Sequence, residues 1–143
     1  MFVTTRGVAH ARHPLCELQL WSHPDRDERP APEGGSVPLT TCRKGSGAPF
    51  TTNAIWRAAD VTIRGETASW KEMTVTRHFC PSCGSAMFGI SDGAGEIAIG
   101  IGAFDVAPTD LVPTYELWVA RREKWFQVVT GTEQFPGNRA MVA

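Results

Sequence analysis

Two cysteines separated by two residues, Cys80-Pro81-Ser82-Cys83, followed at once by Gly84, are the residues of this chain best suited to chemistry. A tight turn of this kind aims both sulfurs at one ion about 2.3 Å away, and a glycine just past it admits the positive φ that the turn needs. The spacing therefore predicts a zinc knuckle at the tip of a hairpin. A redox pair is the alternative, but such a pair opens a helix after a strand within a βαβ pattern, which the surrounding sequence lacks. One such pair supplies half of a tetrahedral site. Upstream, His13-Pro14-Leu15-Cys16 repeats the spacing with an imidazole in place of one thiolate, so His13 and Cys16 are candidates to complete a Cys₃His set with Cys80 and Cys83. A small buried cysteine and a surface histidine are the plainer alternative.

The remaining cysteine, Cys42, opens the run Cys42-Arg43-Lys44-Gly45. At the start of a helical turn, beside two cations, a thiol is favoured as thiolate and becomes available to a metal or an electrophile. A lone cysteine that is simply packed stays open as the other reading. His78, two residues before Cys80, is expected to face solvent. Trp56, Trp70, Trp118 and Trp125 are expected to act first as packing rather than as a substrate cleft.

The elements that must position these residues read as strands. Short apolar or β-branched runs bounded by turn residues cover 50–56, 61–64, 73–79, 86–90, 96–101 and 115–120, and Leu15, Leu18 and Leu20 with Trp21 are expected to make one short strand of imperfect alternation. Within 73–79, Met73, Val75 and Arg77 alternate with Thr74, Thr76 and His78, which predicts one packed and one wetter face. A helical turn is expected only at 42–45 or around Asp110. The stretch 22–36, SHPDRDERPAPEGGS, has no apolar period and is expected to be a disordered loop. The whole, 1–143, reads as one mainly β domain.

Composition narrows the function classes. With 14 basic against 15 acidic residues and a formal net charge of −1, the chain lacks the basic face by which a protein grips nucleic acid. No apolar run approaches the roughly 20 residues that span a bilayer, and no apolar segment follows the basic N-terminal residues. A cytoplasmic, reducing setting is expected, where cysteines serve as ligands or nucleophiles more often than as disulfides.

An ordered set of pieces resembles the glutathione-dependent formaldehyde-activating enzyme family, which also includes the centromere protein V group. The pieces are Cys42-Arg43-Lys44 with Gly47-Ala48-Pro49-Phe50; Arg77 to Ser85 with Met87-Phe88; Gly102-Ala103-Phe104-Asp105; then Pro113, Trp118, Trp125 and Phe135-Pro136-Gly137. They span about two thirds of the chain. The resemblance implies a zinc-containing β-tent fold of several small coiled antiparallel sheets. It implies a structural zinc held by an N-terminal CxC together with Cys80 and Cys83, and a second, catalytic zinc held by a CxCxxC set whose last member is Cys42. It also implies carbon–sulfur lyase chemistry that joins glutathione to formaldehyde as S-hydroxymethylglutathione, with Arg43 and Lys44 steering a carboxylate of the thiol. The alternative is a non-catalytic zinc-stabilised β module that binds a partner.

Residues 1–40 are atypical for that family. The other two positions of the CxCxxC set are Val37 and Leu39, and the N-terminal CxC is missing. Ordinary divergence is one account. The other is a reading-frame slip: Val37-Pro38-Leu39 can be encoded GTG CCA CTG, and the next frame reads TGC CAC TG, which gives Cys-His-Cys once a single pyrimidine is restored. Other codons at Val37 and Leu39 would overturn the slip.

Overall fold

The computed structural model describes residues 8–10, 19–22, 33–104 and 111–139, with backbone alone for 8–10, 19–22 and Glu33. His13 and Cys16 lie outside the described residues, as do 23–32 of the expected loop. Eleven strands and one α-helix are described. In chain order these are β1 (Val8–His10), β2 (Gln19–Ser22), β3 (Glu33–Val37), α1 (Thr40–Ser46), β4 (Thr51–Arg57), β5 (Val61–Arg64), β6 (Ala68–Glu72), β7 (Val75–Phe79), β8 (Ala86–Ser91), β9 (Glu96–Gly100), β10 (Tyr115–Glu116) and β11 (Glu133–Gln134). Single 3₁₀ turns cover Ala58–Asp60, Ile101–Ala103 and Val119–Arg121.

The domain is mainly β, as the sequence predicts, but its strands do not divide into several small antiparallel sheets. One eight-stranded sheet runs β11-β10-β3-β4-β9-β8-β7-β6, and a three-stranded sheet runs β1-β2-β5. The large sheet is mixed, because β10 lies parallel to both β3 and β11. The physical reason lies in the C-terminal chain: Thr114 N–H donates to Gly34 O at 2.8 Å and Leu117 N–H to Ser36 O at 2.9 Å, adding β10 to an edge that a hairpin connection could not reach.

The core sits where β4, β8 and β9 meet. Ile97 and Ile99 alternate with less buried neighbours along β9, the period-two pattern of a strand with one packed face. They join Cys80, Met87 and Phe88, with Trp56, Val61, Ile90, Ala103 and Phe104 packed around them. Ala54 of β4, fully buried, stands opposite Gly34 on one side and Ile99 on the other. Gly35 of β3 is a close approach: a Cβ there would sit 2.1 Å from Cε2 of the Tyr115 ring. No helix among the described residues is long and apolar enough to cross a membrane.

Several expectations need correction. The expected loop 22–36 ends early, because Glu33–Val37 is a strand with Gly34, Gly35 and Ser36 buried between β4 and β10. The strand expected over 115–120 stops after Glu116, because Trp118 turns the chain at φ 53°. The strand expected from Met73 starts at Val75; Met73, at φ 52°, belongs to the turn after β6. Every residue of β7 is half-buried, so it has no packed and wet face of the kind its alternation predicts. Trp56 packs on the core, whereas Trp70 and Trp125 are 57% and 64% exposed and lie outside it, Trp125 edge-on to Phe126 at 6.1 Å.

Candidate functional site

The β7–β8 hairpin carries Cys80 and Cys83 at its end. The strands pair antiparallel with a register shift at His78 and Phe79. The turn closes through Cys80 N–H to Ser85 O and Gly84 N–H to Cys80 O, each 2.9 Å. Gly84 takes φ 75°, the positive value expected of it. Cys80 is 1% exposed and belongs to the core, whereas Cys83 is exposed with Sγ 3.1 Å from Ser85 Oγ. The turn thus presents one anchored and one accessible sulfur.

Cys42 sits in the first turn of α1 and is half-buried. The helix ends on Gly47 in the left-handed conformation, and its last turn is basic. Thr51 Oγ1 and Ser46 Oγ both donate to the Cys42 carbonyl, at 3.0 and 2.9 Å, which ties the turn carrying Cys42 to the start of β4. A segment remote in sequence packs over this helix. Arg43 Nη2 donates to Glu123 Oε1 at 2.6 Å, Arg121 Nη1 donates to Thr40 Oγ1 at 2.7 Å, and the Phe50 and Phe126 rings lie 4.2 Å apart. Lys44 is exposed and forms no ion pair among the described residues. Thr40, Arg121 and Glu123 went unread in the sequence, where Arg121 to Lys124 looks like an ordinary solvated charge run.

The donor sets can be weighed against zinc. At the hairpin two thiols flank one turn, which suits half of a tetrahedral site; the remaining ligands expected there, His13 and Cys16, fall outside the described residues. At α1 the set does not fit. Val37 ends β3 and Leu39 is the cap residue of α1, and both side chains are hydrocarbon, so neither can join Cys42 as a ligand. No group of three or more His, Cys, Asp or Glu suited to a metal is found among the described residues, so Cys42 is not brought into a ligand set with Cys80 and Cys83.

His78 is half-buried rather than solvent-facing. Its ring stacks on Phe88 at 4.4 Å, and Nδ1 lies 2.9 Å from Thr67 Oγ1. Burial lowers its pKa below the ordinary histidine value of 6.5. Between the two values the unfolded chain binds more protons than the folded one, so this contribution to stability is complete above about 6.5 and is lost as pH falls toward the folded value. An imidazole titration followed by NMR is expected to give a midpoint below 6.5 for His78; a midpoint at or above it overturns the assignment to burial.

The arrangement is that of a mainly β domain presenting thiols at two places, a hairpin end and a short basic helix. The family model for the glutathione-dependent formaldehyde-activating enzyme matches residues 39–121, and the chain belongs to that family. The matched stretch takes in α1, the β7–β8 hairpin and Arg121. No curated protein matches the chain.

Proposed function

We propose that this chain acts on the adduct between a glutathione-type thiol and a small aldehyde, forming or cleaving its carbon–sulfur bond as a lyase. What carries the reading is the family match, whose range, residues 39–121, takes in Cys42 and the Cys80 and Cys83 hairpin. In the forward direction the thiol sulfur attacks the carbonyl carbon, the π pair moves to oxygen, and that oxygen takes up the proton released by the thiol. The reverse step returns the aldehyde and the thiol. The chain contributes a half-buried thiol at Cys42 on a helical turn tied to β4 through Thr51, and the exposed Lys44 adds positive charge to the same short helix. Zinc belongs in this proposal at the hairpin, where Cys80 and Cys83 would hold it as a structural ion that fixes the turn. No step is assigned to a metal at α1. A cytoplasmic setting, where thiols and glutathione stay reduced, completes the proposal.

One observation favours a second reading, a zinc-stabilised β module that binds a partner without catalysis: Val37 and Leu39 provide no ligands beside Cys42. Exchange NMR with ¹³C-formaldehyde and glutathione separates the two. The enzyme reading expects the protein to speed interconversion of formaldehyde hydrate and S-hydroxymethylglutathione at least about tenfold over the spontaneous rate, a modest demand on any enzyme. Exchange at the spontaneous rate sinks the lyase and leaves the binding module.

A further inference from the structure

We propose that Ser85 is a positioning residue of the hairpin zinc site, its hydroxyl donating a hydrogen bond to the sulfur of Cys83; this rests on the zinc reading above. Ser85 touches both halves of the turn. Its carbonyl accepts from Cys80 N–H at 2.9 Å, and its Oγ lies 3.1 Å from Cys83 Sγ. Gly84 puts the second contact within reach: at φ 75°, with its own N–H on the Cys80 carbonyl, it reverses the chain just before Ser85. A backbone bond to one cysteine thus holds the residue whose side chain meets the other.

Which atom donates follows from the state of the sulfur. A free thiol can give or take a hydrogen bond, but a thiolate that holds a metal has no proton, which leaves the Ser85 hydroxyl as the donor. Such a bond is charge-assisted, and it orients the ligand toward the ion. Cys80 has another means of support, because it is 1% exposed and packs with Met87, Phe88, Ile97 and Ile99. Cys83 is exposed and lies outside that core, so the hydroxyl does for it what packing does for Cys80.

The size of the effect follows from the exposure. Partners that orient a metal's ligands are worth about 10–100-fold in affinity, and where water can replace part of the bond the lower figure applies.

Zinc competition against a chromophoric chelator, and the sulfur-to-cobalt charge-transfer band of the full chain loaded with cobalt(II), test this. Ser85→Ala keeps the carbonyl that pairs with Cys80 and removes only the hydroxyl. It is expected to raise the Kd for zinc about tenfold and to move the cobalt band to longer wavelength at unchanged intensity, since a sulfur relieved of a hydrogen bond gives up its electron more readily. Ser85→Thr, which keeps a hydroxyl, is expected to restore both. A Kd for zinc in Ser85→Ala within about twofold of the unaltered chain, or an unmoved band, overturns the assignment while the zinc reading stands. A weaker band overturns it too, because lost intensity means a lost thiolate ligand rather than a lost hydrogen bond. An unaltered chain that binds neither zinc nor cobalt overturns the zinc reading and the assignment with it.

Discussion

Arg122→Ala is expected to destabilise the fold by about 3–5 kcal/mol, the cost of leaving a buried carboxylate without its cation. Glu116 is 1% exposed and stands in β10 between β3 and β11. Arg122 Nη2 donates to Glu116 Oε2 at 3.0 Å, with side-chain exposures of 16% and 2%. Gln134 completes the cluster, accepting from Arg122 and donating to Glu116 Oε2 at 2.5 Å and to Thr132 Oγ1 at 2.7 Å. Removing Arg122 leaves Glu116, among the described residues, with the Gln134 amide alone as a side-chain partner, whereas an exposed ion pair such as Lys71 with Asp92 contributes about 0–1 kcal/mol. The asymmetry gives a control. Replacing both partners together, Glu116→Gln with Arg122→Met, removes the charge rather than orphaning it and should recover most of the loss. Urea denaturation reads this as a fall in midpoint with little change in slope. A loss under about 1 kcal/mol for Arg122→Ala would show that water reaches Glu116.

The other large effect concerns metal. On the proposed reading, the purified chain holds about one zinc, and Cys83→Ser reduces it to near zero, while Cys42→Ser leaves the count unchanged. Cys83 is the informative hairpin variant because it is exposed; Cys80→Ser would also place a hydroxyl in the core, mixing metal loss with a packing defect. Elemental analysis after mild chelation decides it. Zinc retained in Cys83→Ser removes the hairpin site, and zinc lost in Cys42→Ser would mean that α1 finds ligands other than Val37 and Leu39.

Legibility in the sequence followed local pattern. β5 was readable to the residue, because Val61–Arg64 is a β-branched run stopped by Gly65 at φ 103°. β8 and β9 were readable to within a residue for the same reason. β6 was not, since Ala68–Glu72 is an edge strand whose Trp70 and Lys71 point into solvent and leave no period to find. β3 was hidden differently. Glu33-Gly34-Gly35-Ser36-Val37 looks like linker, and its burial comes from a tyrosine ring laid against glycine backbone, a long-range event without a local signature. At the candidate site, spacing alone drew attention to the cysteines and to Arg43 and Lys44. It could not show that Arg43 is held by Glu123, because 80 residues separate them.

That separation also dictates an order of assembly. Strand β3 obtains its second neighbour, and α1 its outer cover, only from chain made about 80 residues later. A nascent or truncated polypeptide ending before Tyr115 would form its hairpins while the edge of β3 and the face of α1 carrying Thr40 and Arg43 stayed bare. Contacts of such sequence distance close late and slow folding, so the thiol-bearing helix is the part of this domain to mature last.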